Sequence, residues 1–117
     1  MLRLVDGGGT PASDLRRVGL YGLDPELAAY VRRLLLARWP KLVVTLAQEP
    51  SDLARVRLQL WICGRSPPGA VNAPVLWLDG YGQDEDAPAR IAPQLWRLTT
   101  PVTRARLLHG VERILAA

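Results

Sequence analysis

The sequence contains one cysteine (Cys63), one histidine (His109) and one lysine (Lys41) among its 117 residues. A lone cysteine excludes an internal disulfide and a zinc cluster, and it suits a reducing cytoplasm. A lone histidine excludes metal sites built on a pair of histidines and disfavours a histidine-based catalytic triad. No hydrophobic run reaches the length of a membrane span, and the N-terminus has no signal-peptide pattern. We therefore expect a cytoplasmic protein without metal, cofactor or membrane contact.

The net charge of +4 comes almost entirely from arginine. The arginines are scattered along the chain and form no block, whereas a nucleic-acid footprint gathers its cations on one face. Direct binding of nucleic acid by this domain is therefore not expected. Hydrophobic residues make up 49% and charged residues 22%, which is typical of one soluble globular domain of this length.

Apolar and β-branched runs predict five strands, at 18–23, 41–47, 58–63, 74–78 and 95–100, after an irregular leader at 1–17. The third and fourth runs are continuously apolar, as in strands buried on both faces of a parallel sheet. Only the Gly- and Pro-rich residues 64–73 separate them, which is short for a parallel crossover. The helix after the third strand is therefore expected to be shortened or lost. Pro88 and Pro93 leave at most one helical turn in 80–93.

Two longer helices and one short helix are predicted. The first spans 24–39, with Asp24 as N-cap, Pro25 at the first helical position and an apolar stripe facing the core. The last begins after Thr103, which is a good N-cap. A short helix of one to two turns follows Ser51 or Asp52.

This alternation predicts an α/β fold with a flavodoxin-like, five-stranded parallel sheet in the order 2-1-3-4-5, covering residues 18–117. Right-handed crossovers place the first and last helices on one face.

Three passages carry a resemblance to a known family: VGLYGLDPEL at 18–27, WICGRSPPG at 61–69, and PVLWLD with LTTPVTRARLL at 74–79 and 98–108. Together they resemble the receiver domain of bacterial response regulators, over about residues 18 to 115. In that family the first strand ends in two acids, the third in the phosphoacceptor Asp, the fourth in Ser or Thr, and the fifth in Lys-Pro.

All five functional positions of the family differ in this chain. The acidic pair falls on Gly22 and Leu23, the phosphoacceptor on Gly64, the hydroxyl residue on Asp79 and the lysine on Thr100. Receiver chemistry needs carboxylates for Mg²⁺, an Asp nucleophile and a Lys beside the phosphoryl group. The resemblance therefore implies a degenerate receiver that is not phosphorylated and is not an enzyme.

Each of the last three predicted strands carries a tryptophan: Trp61, Trp77 and Trp96. The hypothesis is that these rings cover the sheet face left bare by the missing helices. They then either fill a core with the loops or meet another chain, since Trp is enriched in interface hot spots. The family's frequent dimer face, on the fifth strand and last helix, would here involve Arg97, Arg104 and His109.

The function expected is bacterial signal transduction or transcription control through protein–protein association, as a homodimer or with another regulatory protein. The alternative is a sensor of a small ligand such as a nucleotide second messenger, held by arginines and tryptophans. Asp24 and Asp79 form a further candidate pair at strand ends, with helix capping and loop solvation as their simpler roles. Cys63 is expected to be a buried, unreactive thiol.

Overall fold

The computed structural model describes residues 15–49, 51–55, 58–65, 73–81, 89–100 and 102–116. They form six strands and three helices in the order β1 (Arg17–Tyr21), α1 (Pro25–Arg38), β2 (Val43–Ala47), α2 (Asp52–Arg55), β3 (Leu60–Cys63), β4 (Val75–Tyr81), β5 (Ala89–Ala92), β6 (Leu95–Thr100) and α3 (Arg104–Ala116). The α/β class is therefore confirmed.

Both long helices begin at the predicted caps. The Leu27 N–H donates to Asp24 Oδ1 at 2.9 Å, and Pro25 occupies the first turn of α1. The Arg106 N–H donates to Thr103 Oγ1 at 3.2 Å at the start of α3. These side chains satisfy amide groups that a helix start leaves without intrahelical partners.

The six strands form one sheet in the order β2-β1-β3-β4-β6-β5. The first five are parallel and follow one another as predicted, but β5 pairs antiparallel with β6 at the edge. The predicted count of five strands and the order of the complete sheet were therefore wrong. In 80–93, where at most one helical turn was predicted, Ala89–Ala92 is a strand and residues 82–88 lie outside the described residues. Prolines on either side of Ala89–Ala92 argue against a central strand, yet they are compatible with an edge strand joined to its neighbour by a two-residue turn.

One face of the sheet, here called the helix face, packs against α1 and α3. Its core holds Val31 and Leu35 of α1 together with Leu107 and Val111 of α3, all fully buried. The Arg38 Nε and Glu112 Oε2 atoms lie 3.6 Å apart and join the two helices at the surface. The first and last helices thus share one face, as predicted from right-handed crossovers.

The other face carries a smaller core under α2. Leu53 of α2, Trp61 and Cys63 of β3, and Val75 of β4 are buried there. Alternate residues of β3 therefore enter different cores, as the period of two along a strand requires. Burial on both faces explains why β3 is continuously apolar.

The described part of the domain starts before the predicted boundary at residue 18. Leu15 is 2% exposed in the helix-face core, and Arg17 already belongs to β1. The rest of the predicted leader, 1–14, lies outside the described residues, as does most of the segment between β3 and β4. In the part of the chain described here, every helix is too short or too polar to cross a membrane.

Candidate functional site

The carboxyl ends of β1 and β3 meet at Gly22 and Gly64, two of the five positions compared with the receiver family. The Gly64 N–H donates to the Tyr21 carbonyl oxygen at 2.8 Å. A Cβ on Gly64 would lie 2.6 Å from the Gly22 carbonyl oxygen and 2.8 Å from Leu23 Cδ2. Because a main-chain oxygen cannot move aside cheaply, the phosphoacceptor position has no room for a side chain.

The position of Gly22 has no room for a side chain either. Its φ of +72° lies in the left-handed region that favours glycine. A Cβ there would lie 2.8 Å from Cγ of Arg65, whose side chain covers this turn. The two glycines thus let two loops pack directly against each other where receivers place carboxylates.

A cleft of about 330 Å³ opens beside this contact, between the carboxyl ends of β1 and β2 and the start of α1. Gln48 and the exposed Arg65 supply polar groups to its lining, and Pro25 and Ala28 of α1 close one side. Its lining residues include one guanidinium group and the phenol of Tyr21, and they include no carboxylate, thiol, imidazole or ammonium group.

Asp79 and Thr100, two further positions of the comparison, lie within β4 and β6. Their side chains lie outside what the structure describes. The pairing between β4 and β6 shifts register between Leu78 and Tyr81. The candidate pair of Asp24 and Asp79 is therefore tested only at Asp24, which serves as the cap of α1.

The three tryptophans do not share a face, so the prediction that they cover one side together was wrong. Trp96 is 7% exposed and packs in the helix-face core, whereas Trp61 is fully buried in the other core. Trp77 is half-buried and pairs in register with Cys63 and Arg97. Trp96 pairs with Leu76, whereas Trp77 is the next residue along β4. Because successive side chains of a strand point to opposite faces, Trp96 and Trp77 lie on opposite faces of the sheet.

The predicted interface of Arg97, Arg104 and His109 is not one surface. All three side chains are exposed. Arg97 follows Trp96 on β6 and therefore projects from the face opposite α3, which carries the other two. Arg97 is also not at an edge, since β5 lies beyond β6.

Cys63 is buried, as predicted. Its desolvation raises the pKa of the thiol to about 12, because burial disfavours the thiolate. The group is therefore protonated at neutral pH and a poor nucleophile.

A larger cleft, here called the basic cleft, was not predicted. It measures about 640 Å³, lies at the amino ends of β1 and β2, and is lined by Arg16, Arg17, Arg38 and Lys41 around Trp39. The Arg38 guanidinium lies 5.0 Å from the centre of the Trp39 ring. Parallel pairing of β1 with β2 brings these cations together from two stretches, RR at 16–17 and RWPK at 38–41. Their meeting at one edge could have been inferred from the predicted strand order.

Large exposed apolar side chains lie on the two edge strands. Val43 and Leu46 of β2 are 55% and 62% exposed, and Ile91 of β5 is 50% exposed. Apart from the half-buried Trp77, the other large apolar side chains described on the strands lie in one of the two cores or pack against it. The edges of the sheet are therefore the apolar surfaces open to another chain.

Within the described ranges, no cluster of three or more His, Cys, Asp or Glu side chains has the arrangement of a metal site. Comparison with protein-family models, curated proteins and solved structures returned no match.

Proposed function

We propose that this chain is a phosphorylation-independent, receiver-like domain that works by associating with another protein chain, in the first place a second copy of itself. Its setting would be the bacterial cytoplasm, in signalling or transcription control. In this proposal the domain has no catalytic activity.

The closed contact between Gly22 and Gly64 supports the phosphorylation-independent part of the proposal. A receiver needs an aspartate at the end of its third strand, and here a Cβ at that position would lie 2.6 Å from the Gly22 carbonyl oxygen. Lys41, the one lysine, lines the basic cleft at the amino ends of the strands, at the opposite end of the sheet. No lysine of this chain is thus available to a phosphoryl group at the carboxyl ends.

The observation that carries the association part is the exposure of Val43, Leu46 and Ile91 on the two edge strands. Edge strands of monomers are usually protected by charged residues, proline, bulges or a covering segment, because their open backbone groups pair readily with other chains. Apolar residues exposed on such an edge favour strand addition by a partner.

The test is the absolute mass of the chain by size-exclusion chromatography with light scattering, over about a thousandfold range of concentration. We expect a dimer that persists on dilution, unchanged by acetyl phosphate and Mg²⁺. The matched variant is Gly64→Asp, which restores the family's carboxylate. Because the site has no room for it, we expect lower thermal stability and no incorporation of phosphate. A wild-type chain that stays monomeric throughout, or that takes up phosphate, would overturn the proposal.

The basic cleft favours a second candidate function, the binding of an anionic ligand such as a nucleotide. Arg17 and Lys41 on the wall of the cleft offer phosphate pairing, whereas Arg38 already pairs with Glu112 and covers the largely buried Trp39 ring. A ligand at about one hundred times its dissociation constant stabilises the fold by about 2.7 kcal/mol. Thermal melts with a panel of nucleotides test this candidate, using Arg17→Ala as the cleft variant and Arg113→Ala on α3 as control. A stabilisation lost only in Arg17→Ala supports it, and melts unaffected by every nucleotide exclude it.

A further inference from the structure

Among the described residues, no strand pairs with the outer side of β2, here called its open side. β2 is the first strand in the sheet order, and its pairing with β1 is regular over five residues. The Val43 N–H donates to the Arg16 carbonyl oxygen at 2.9 Å. Because main-chain groups alternate in direction along a parallel strand, Val43, Thr45 and Ala47 turn theirs towards β1. Val44 and Leu46 therefore present N–H and C=O groups at the open side.

The side chains of β2 do nothing to protect this edge. The strand VVTLA contains no charge and no proline, and its pairing shows no bulge. Val43 and Leu46 are both more than half exposed. Lys41 and Glu49 lie two residues beyond either end of the strand, and both are exposed. The structure gives neither of them an ion pair with another described residue.

These two charges select one pairing of β2 with a second copy of itself. In an antiparallel pair, two opposite residues either both point their N–H and C=O groups at the partner strand or both point them away. A twofold axis between two copies of β2 must therefore pass through a residue and not between two residues. Counted along the register, an axis at Thr45 brings Lys41, in the turn before β2, towards Glu49 of the other copy, in the bend after β2, and this happens twice. An axis at Val44 would place Lys41 opposite Ala47, and an axis at Leu46 would place it opposite Ser51.

We propose that a second copy of this chain adds to the open edge of β2, antiparallel, with the twofold axis at Thr45. Val44 of one copy then exchanges two main-chain hydrogen bonds with Leu46 of the other. Lys41 and Glu49 form two symmetric ion pairs across the ends, and one sheet runs through both copies. This inference rests on the proposed self-association and names its surface and register.

The partner is a second copy because the arrangement is self-complementary. A C2 interface requires each patch to match itself, and a strand with opposite charges at equal distances from its centre meets that requirement. The β5 edge has no such symmetry: Ile91 stands on a four-residue strand whose pairing with β6 is irregular.

The experiment measures the dimer dissociation constant, by sedimentation, for the wild type and for Lys41→Glu, Glu49→Lys and the double exchange. Each single exchange replaces two attractive pairs with two repulsive ones, so we expect dimers about tenfold weaker. The double exchange restores the attraction with reversed sign, and we expect a return to within about threefold of the wild type. Both singles lose their effect at high salt.

Leu46→Lys and Ile91→Lys form a matched pair on the two edges, each replacing an exposed apolar residue with the same charge. We expect Leu46→Lys to weaken the dimer at least tenfold and Ile91→Lys to change it by less than about twofold. Hydrogen exchange provides a second readout, since the amides of Val44 and Leu46 are expected to become protected as the dimer forms.

The outcomes separate the two proposals. A wild type that is monomeric at all concentrations overturns the proposed function and this inference together. If the wild type is a dimer and Leu46→Lys leaves its dissociation constant unchanged, or if Ile91→Lys dissociates it, self-association stands and the β2 interface is overturned. A double exchange that fails to restore the dimer overturns the register. Protection of Val44 and Leu46 in the monomer assigns the edge to another segment of the same chain and also overturns the inference.

Discussion

Gly19, in the middle of β1, tests how the core on the α2 side of the sheet is packed. A Cβ on Gly19 would collide with two atoms of the six-membered ring of Trp61 and would lie 2.5 Å from Leu58 Cδ1. Trp61 is fully buried, so its ring has no free space into which to move. We therefore expect Gly19→Ala to destabilise the fold.

The sign of the change in unfolding free energy caused by Gly19→Ala shows whether the new Cβ meets a filled core. Without a clash, replacing glycine by alanine in a strand stabilises a protein by about 0.4–1 kcal/mol, because the unfolded chain loses freedom. Overpacking a filled core costs about 1–3 kcal/mol. The net expectation is a loss of about 1–2 kcal/mol, which in a domain of this size lowers the melting temperature by about 3–10 °C.

The assay is urea unfolding followed by circular dichroism, for Gly19→Ala, Trp61→Leu and the double variant. Trp61→Leu alone should cost about 3 kcal/mol through the cavity it leaves. In that background Gly19→Ala should destabilise less than in the wild type, because the ring is gone and only the close contact with Leu58 Cδ1 remains. Thr45→Ala, opposite Gly19 on β2, serves as the control and should cost less than about 1 kcal/mol. A stabilising Gly19→Ala in the wild-type background would refute the packing described here.

Cys63 should resist thiol reagents at pH 8 in the native protein and react fully in denaturant, because burial raises its pKa to about 12. From the same shift, stability should fall as the pH rises above 9.0, the ordinary pKa of the thiol, since the thiol of the unfolded chain loses its proton first. A falling profile in the wild type and a flat one in Cys63→Ala would identify the group. Asp24→Ala and Thr103→Ala should each lower the free energy of unfolding in urea by about 1 kcal/mol, because each removes the acceptor of a helix N-terminal amide. A change under about 0.3 kcal/mol would mean that water replaces the cap.

The starts of the helices were predictable because their causes are local. Asp24 followed by Pro25, and Thr103 followed by an amphipathic run, specify helix starts within a few residues of chain. The order of the five parallel strands followed from alternation of strands and helices and the right-handed crossover. The absence of a carboxylate at position 64 was visible in the sequence, whereas the lack of room for a side chain there was not.

The edge strand β5 was missed because local signals there conflict. Pro88 and Pro93 argue against strand structure, and only the partner strand β6 supplies the hydrogen bonds that make Ala89–Ala92 extended. Tertiary pairing thus overrode a local preference.

The sequence by itself determined the α/β class, the capped helices, the buried thiol and the absence of the residue types that receiver chemistry needs, since each depends on residue type or on neighbours within a turn. Only the tertiary structure decided which face each tryptophan occupies, why β1 carries Gly19, how four cations meet around Trp39, and that Val43 and Leu46 are exposed on an open edge. These features depend on the register between strands, where a shift of one residue moves every side chain to the opposite face. Register is specified by contacts between residues far apart in the chain, and no short stretch of sequence contains it.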